Sequence, residues 1–200
     1  MNVISRFVLL ETFKWRETDT IALMNLTKAN YLAGNKTFLR EYHLPNAIFE
    51  NSDLIRQKVN NYQYLKSDIA IDVKVNSMPF QQGALILVYA PYSYETSKFR
   101  AEGSEFLASI TSLPHTIMYL ERSNTAQLII PYANVYDNIS LNDTDHQYGV
   151  FRIYALSPIT SGESGQVVDV TVRARFTNPV LTVPTSNSLL TQDRYASASM

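Results

Sequence analysis

From Ile69 to Val75 an apolar side chain stands at every second position, Ile69, Ile71, Val73 and Val75, alternating with Ala70, Asp72, Lys74 and Asn76. A period of two sends one row inward and the other outward, so the stretch predicts a half-buried strand. The run Ala84 to Ala90 is apolar on both faces, as expected of a central strand covered on both sides. Periodicity alone would also allow a buried helix there. The β-branched and aromatic content, bracketed by Gly83 and Pro91, decides for strand. The cleanest alternation comes last: Val168, Val170, Val172, Ala174 and Phe176 form an inward row, while Asp169, Thr171, Arg173, Arg175 and Thr177 face water or a partner.

The same reading predicts further strands over Arg6 to Lys14, burying Phe7, Leu9 and Phe13 with Trp15 closing the end, and over Thr37 to Leu44, Thr116 to Glu121, Ala126 to Tyr132 and Val150 to Leu156. Two short helices are expected in the connections. One is capped by Asn46 after Pro45 and carries Ile48, Ile55 and Val59 on one face; the other is capped by Ser104 and offers Phe106, Leu107 and Ile110. Glu17 to Asn35 reads as a long loop. This is an all-β chain of eight strands, and eight antiparallel strands with two small helices suit a jelly-roll sandwich, although pattern alone leaves other sandwiches open. A single domain over residues 1–184 is expected, followed by a Ser/Thr-rich C-terminal tail over 185–200.

Composition narrows the chemistry. With 200 residues, 46% of them hydrophobic, the chain can bury a sizeable core, and a net charge of -1 creates no field that would gather polyanions over the whole surface. The absence of cysteine removes disulfides and thiolate chemistry, and no segment approaches the ~20 apolar residues of a membrane span. His43, His115 and His146 lie far apart with no metal-binding spacing, and Gly162-Glu163-Ser164-Gly165 is not a nucleophile elbow. No catalytic residue, cofactor or metal site is therefore assigned. The loop Asp137 to Asp145 supplies oxygen ligands but lacks the glycine and glutamate of a calcium-binding hand, so it reads first as a solvated loop. Next to it His146 stands beside Asp143 and Asp145, a candidate pH-sensitive group. Arg173 with Arg175, and Arg152 with Tyr154, share strand faces and read as solvated or subunit-contact residues. Tyrosines number 13, and Tyr89, Tyr92 and Tyr94 flank Pro91, a usage that suits interfaces.

The turn between the two opening strands, Asn76-Ser77-Met78-Pro79-Phe80-Gln81-Gln82-Gly83, has its own logic. Pro79 offers no N–H and ends the pairing; Gly83 can take a φ that other residues avoid, allowing sharp entry into the next strand; Phe80 is then left to plug the sandwich end. A connection under purely structural constraint is the simplest reading, and contact with a neighbouring subunit is the functional one.

The segments LPNAIFENSDLI, YLKSDIAIDVKVNSMPFQQGALILVYAP and QLIIPY resemble a major capsid protein of picorna-like viruses, nearest to the dicistroviruses and iflaviruses, over roughly Arg6 to Pro184. Its most specific piece is the turn bearing Asn76, Pro79, Phe80, Gln82 and Gly83, followed by an apolar strand and Pro91. The resemblance implies a viral jelly roll and a non-enzymatic structural subunit, assembled with related jelly-roll subunits into an icosahedral shell around single-stranded RNA. It implies location in the virion, assembly in the host cytoplasm, a host receptor as a candidate further partner and no membrane span, with direct RNA contact left open. It also implies an N-terminal arm; because the first strand begins almost at Met1, a trimmed or processed form is expected. The alternative reading is a cellular jelly-roll carbohydrate-binding, lectin-like module.

Overall fold

In the computed structural model, which describes residues 3–19, 38–91, 108, 110–141, 148–162 and 165–185, the alternating segments pair into two antiparallel sheets. The strands are β1 (Val8–Arg16), β2 (Arg40–Leu44), β3 (Tyr62–Asn76), β4 (Gln82–Pro91), β5 (His115–Tyr119), β6 (Thr125–Ile130), β7 (Ile139–Ser140), β8 (Gly149–Thr160) and β9 (Val167–Pro184). One sheet has the order β1-β9-β3-β6, with β7 also on β3, and the other the order β2-β8-β4-β5. The chain passes to the opposite sheet at every step except β4 to β5 and β6 to β7. This alternation builds the jelly roll, and the expected all-β sandwich is what forms.

The period-two rows become the core. Ile69, Ile71, Val73 and Val75 on β3 and Val168, Val170, Val172, Ala174 and Phe176 on β9 are all buried between the sheets. β4 lies between β8 and β5, as its two apolar faces require. Leu85, Leu87 and Tyr89 point into the inter-sheet core, while Ile86 and Val88 join Tyr154 and Ile110 in a second cluster outside it. Ile110 lies within a helical turn in which Ser112 N–H donates to Ala108 O at 3.1 Å; Ser104, Phe106 and Leu107 lie outside the described residues, as do Tyr92, Tyr94 and the tail from residue 186.

Three expectations are corrected. On β1 the buried residues are Val8, Leu10, Phe13 and Trp15, whereas Phe7 and Leu9 are exposed. The ladder explains it: Leu9 faces Arg173 and Glu11 faces Val172, so Leu10 is an extra residue, and a β-bulge switches which alternate positions point inward. The helix after Pro45 is two helices, α1 (Asn46–Glu50) and α2 (Asp53–Val59). Asn46 caps neither; α1 has no side-chain cap, and Ser52 caps α2 by accepting from Ile55 N–H at 3.4 Å. Ile48, Ile55 and Val59 are nonetheless all buried, so the apolar face survives the break. Finally, the loop read as solvated contains β7, whose Ile139 is buried against the core while Asp137 extends into water, 3.6 Å from Lys66 Nζ.

Candidate assembly surfaces

The turn from β3 to β4 is organised by a residue that periodicity does not mark. Gln81 is buried, and its side-chain oxygen accepts from Met78 N–H at 2.8 Å while its amide donates to Gln166 Oε1 at 2.6 Å. Its own N–H donates to Met78 O at 3.1 Å, so one side chain closes the turn on itself and staples it to the start of β9. Glu17 holds that start from the other side, its Oε2 accepting from Gly165 N–H at 2.7 Å and Gln166 N–H at 3.3 Å.

With Gln81 turned inward, Met78 and Phe80 are turned out. Phe80 is 86% exposed and Met78 69% exposed, which overturns the expectation that Phe80 plugs the sandwich end. The room is already taken by Trp15, a fully buried residue on β1. Gly83 is explained by the same ring: a Cβ there would stand 3.0 Å from Trp15 Cη2, 3.3 Å from Pro158 O and 3.4 Å from Ile159 Cα. Close approach, not a left-handed φ, is what the position demands, since the positive-φ glycines among the described residues are Gly149 and Gly165. Asn76, Pro79, Phe80, Gln82 and Gly83 thus gather at one end of the sandwich, whereas Pro91 sits at the far end of β4 opposite Gly149. Around the projecting tip stand Val167 and Tyr119, both partly exposed, with the Arg122 guanidinium 5.7 Å over the Tyr119 ring.

The outer sheet faces are not simply solvated. Arg152 on β8 is buried and donates from Nε to Glu41 Oε2 at 2.6 Å, beside the buried Tyr154, so the expected water-facing pair is internal. His43 Nε2 lies 3.4 Å from the other oxygen of Glu41, and His115 Nδ1 lies 2.8 Å from Leu113 O. On the five-stranded sheet Arg173 is paired with Asp72, and both Arg173 and Arg175 stand over the Phe7 ring, at 5.4 and 4.6 Å. At the open side of the sandwich Glu11 on β1 accepts from Arg40 Nε at 2.8 Å and from the Tyr42 hydroxyl at 3.0 Å, clipping the edge strands of the two sheets together. Burial foremost, then the Glu11 carboxylate, pushes the Tyr42 phenol up; burial does the same for Tyr148 and Tyr154. Asp143, Asp145 and His146 lie outside the described residues. No cluster of three or more metal-ligating side chains occurs among the described residues.

A sequence model of the picornavirus capsid proteins matches residues 4–148, a span that holds the turn, the edge clip and all strands from β1 to β7. The chain belongs to this family. It is 26% identical over 151 residues to the structural polyprotein of acute bee paralysis virus, covering 74% of this chain and 17% of that polyprotein. In structure it is similar to mud crab dicistrovirus, with a TM-score of 0.78 and 28% identity over 94% of this chain and 78% of that one. The pentamer of Israel acute paralysis virus shares the fold, with a TM-score of 0.77 and 22% identity over 92% and 94% of the two chains. None of these capsid matches supports the carbohydrate-binding alternative.

Proposed function

We propose that the protein is a non-enzymatic structural subunit of an icosahedral picorna-like virus shell, assembling with related jelly-roll subunits around a single-stranded RNA genome. The observation that carries this reading is the jelly-roll strand order within a capsid-family match over residues 4–148. On this reading the protein resides in the virion and is assembled in the host cytoplasm.

The mechanism is geometric. A shell subunit has to keep its shape while its ends and faces meet neighbours, and the sandwich does so by packing its own apolar core between two paired sheets. The Glu11 clip holds the edge strands, and Gln81 holds the turn so that Met78 and Phe80 project as a fixed apolar tip. An apolar tip on a rigid turn loses little freedom on docking, so it suits contact with a neighbouring subunit. Many such contacts, each modest, add up once the shell closes. With a net charge of -1 the chain has no cationic surplus to neutralise a genome, so any RNA contact is local.

The test is co-expression with the two related jelly-roll subunits of the same virus, followed by sedimentation and electron microscopy. Pentamers or closed shells containing this chain are expected. A chain that stays monomeric while its partners assemble without it would refute the reading.

A further inference from the structure

We propose that the outer face of the five-stranded sheet around Arg175 is an intersubunit docking surface, which receives a carboxylate side chain of an adjoining capsid subunit; this rests on the capsid function proposed above. Register places the participants in two rows. Across the ladders Arg175 faces Ala70, which faces Ile129, and in the next row Leu9 faces Arg173, which faces Asp72. Phe7, one residue before β1, lies under both guanidiniums.

The two arginines differ in one respect. Arg173 already has Asp72, whereas Arg175 makes no hydrogen bond or ion pair among the described residues; the Nε of both is buried without a partner. A guanidinium standing over a phenyl ring is held in place while its terminal nitrogens stay able to donate to a carboxylate as a pair. The frame around it is apolar. Leu9 is 54% and Ile129 61% exposed, side chains that gain by burial against protein and contribute nothing to phosphate. On the same face, among the described residues, Lys14 stands opposite Asp169 and Lys66 lies 3.6 Å from Asp137, leaving Lys74 and the peripheral Arg16 as the other cations outside an ion pair, too few charges for a polynucleotide track. Charge complementarity with an acidic side chain, ringed by apolar contact, is the pattern of an interface centre.

The test uses the co-expressed subunits. Arg175→Ala and Ile129→Ser are expected to melt with the parent and to lower particle yield at least tenfold, Arg175→Lys to recover little of it, and Lys74→Glu on the same face to assemble normally. A second readout needs no variant: phenylglyoxal should modify Arg175 in free subunits and at least tenfold less in particles. Arg175→Ala assembling like the parent, or equal phenylglyoxal labelling in both states, overturns the proposal. Normal particles with reduced encapsidated RNA would replace the protein partner by nucleic acid. If the parent chain itself never enters particles, it is the capsid function that fails, and this surface with it.

Discussion

Replacing Gly83 by alanine tests the tightest packing in the sandwich. The added methyl would meet Trp15 Cη2 at 3.0 Å, Pro158 O at 3.3 Å and Ile159 Cα at 3.4 Å. Two of these belong to the backbone of β8, which is paired with β4 and cannot retreat without breaking that ladder, so the indole has to move. It has nowhere open to go, being fully buried on β1. Overpacking of this kind costs about 1–3 kcal/mol. For a chain of this size each kcal/mol lowers the melting temperature by about 2–4 °C, so Gly83→Ala should melt about 2–12 °C below the parent.

Trp15 is the chain's single tryptophan, so its fluorescence reports on this contact alone. The expected result is a red-shifted emission together with the lowered melting temperature. The decisive step is the Trp15→Phe background, followed by circular dichroism. Phenylalanine lacks the outer ring that carries Cη2, and because Trp15 Nε1 has no hydrogen-bond partner among the described residues the exchange breaks no bond there. There the cost of Gly83→Ala should fall by at least half, a coupling that only a direct contact produces. A melting temperature within 1 °C of the parent, or an undiminished cost in the Trp15→Phe background, would refute the close-approach explanation.

Phe80→Ser should leave the thermal melt unchanged, since the ring is 86% exposed, and lower the yield of pentamers in co-expression; normal pentamers would remove the tip from the assembly surface. Glu41→Ala strands the buried Arg152 charge and should cost about 3–5 kcal/mol in denaturant titration, whereas Glu41→Leu with Arg152→Met together should cost far less. Tyr42, Tyr148 and Tyr154 are held protonated by burial, so their folded pKa values lie above the ordinary phenol value near 10. Their contribution is therefore complete below about pH 10 and is lost as pH rises beyond it, because the unfolded chain releases protons that the folded chain keeps. Denaturant midpoints at pH 9, 10 and 11 should fall in that order. Tyr148→Phe should flatten the decline by about 1 kcal/mol between pH 10 and 11 and by less between pH 9 and 10, and an unchanged slope would exclude it as a contributor.

What could be read from the residues was whatever depends on neighbours in the chain. β3, β4 and β9 were legible because regular central strands write their burial directly into alternation or into an unbroken apolar run. β1 was not, because the bulge at Leu10 shifts the inward parity in mid-strand and leaves Phe7 and Leu9 outside. The break between the two helices is hidden because Ile48, Ile55 and Val59 do share a buried face, while the stop at Asn51-Ser52 is a local capping event. In the turn, Pro79 and Gly83 announced the stop and the entry, but the direction of Phe80 depends on Gln81 finding Gln166, 85 residues away. Arg152 reads as a surface charge until Glu41, 111 residues distant, is placed beside it. The misses at Phe80 and Arg152 concern side chains whose placement is set by a partner from a distant strand, a relation that no periodicity carries.

Those same non-local pairs bear on assembly. A contact group that must be ordered when a neighbour arrives consumes part of the binding energy in losing its own freedom, and weak interfaces tolerate little of that loss. Here the ordering is done within the fold: Gln81 fixes the tip by three hydrogen bonds, Glu11 ties the two edge strands, and Phe7 holds two guanidiniums over its ring. All three devices use side chains that a purely apolar sandwich would not need for its core. Their common effect is to present Phe80, the closed edge and Arg175 in one geometry before any partner binds. Individual interfaces can then stay weak enough to reverse while the closed shell gathers stability from their number.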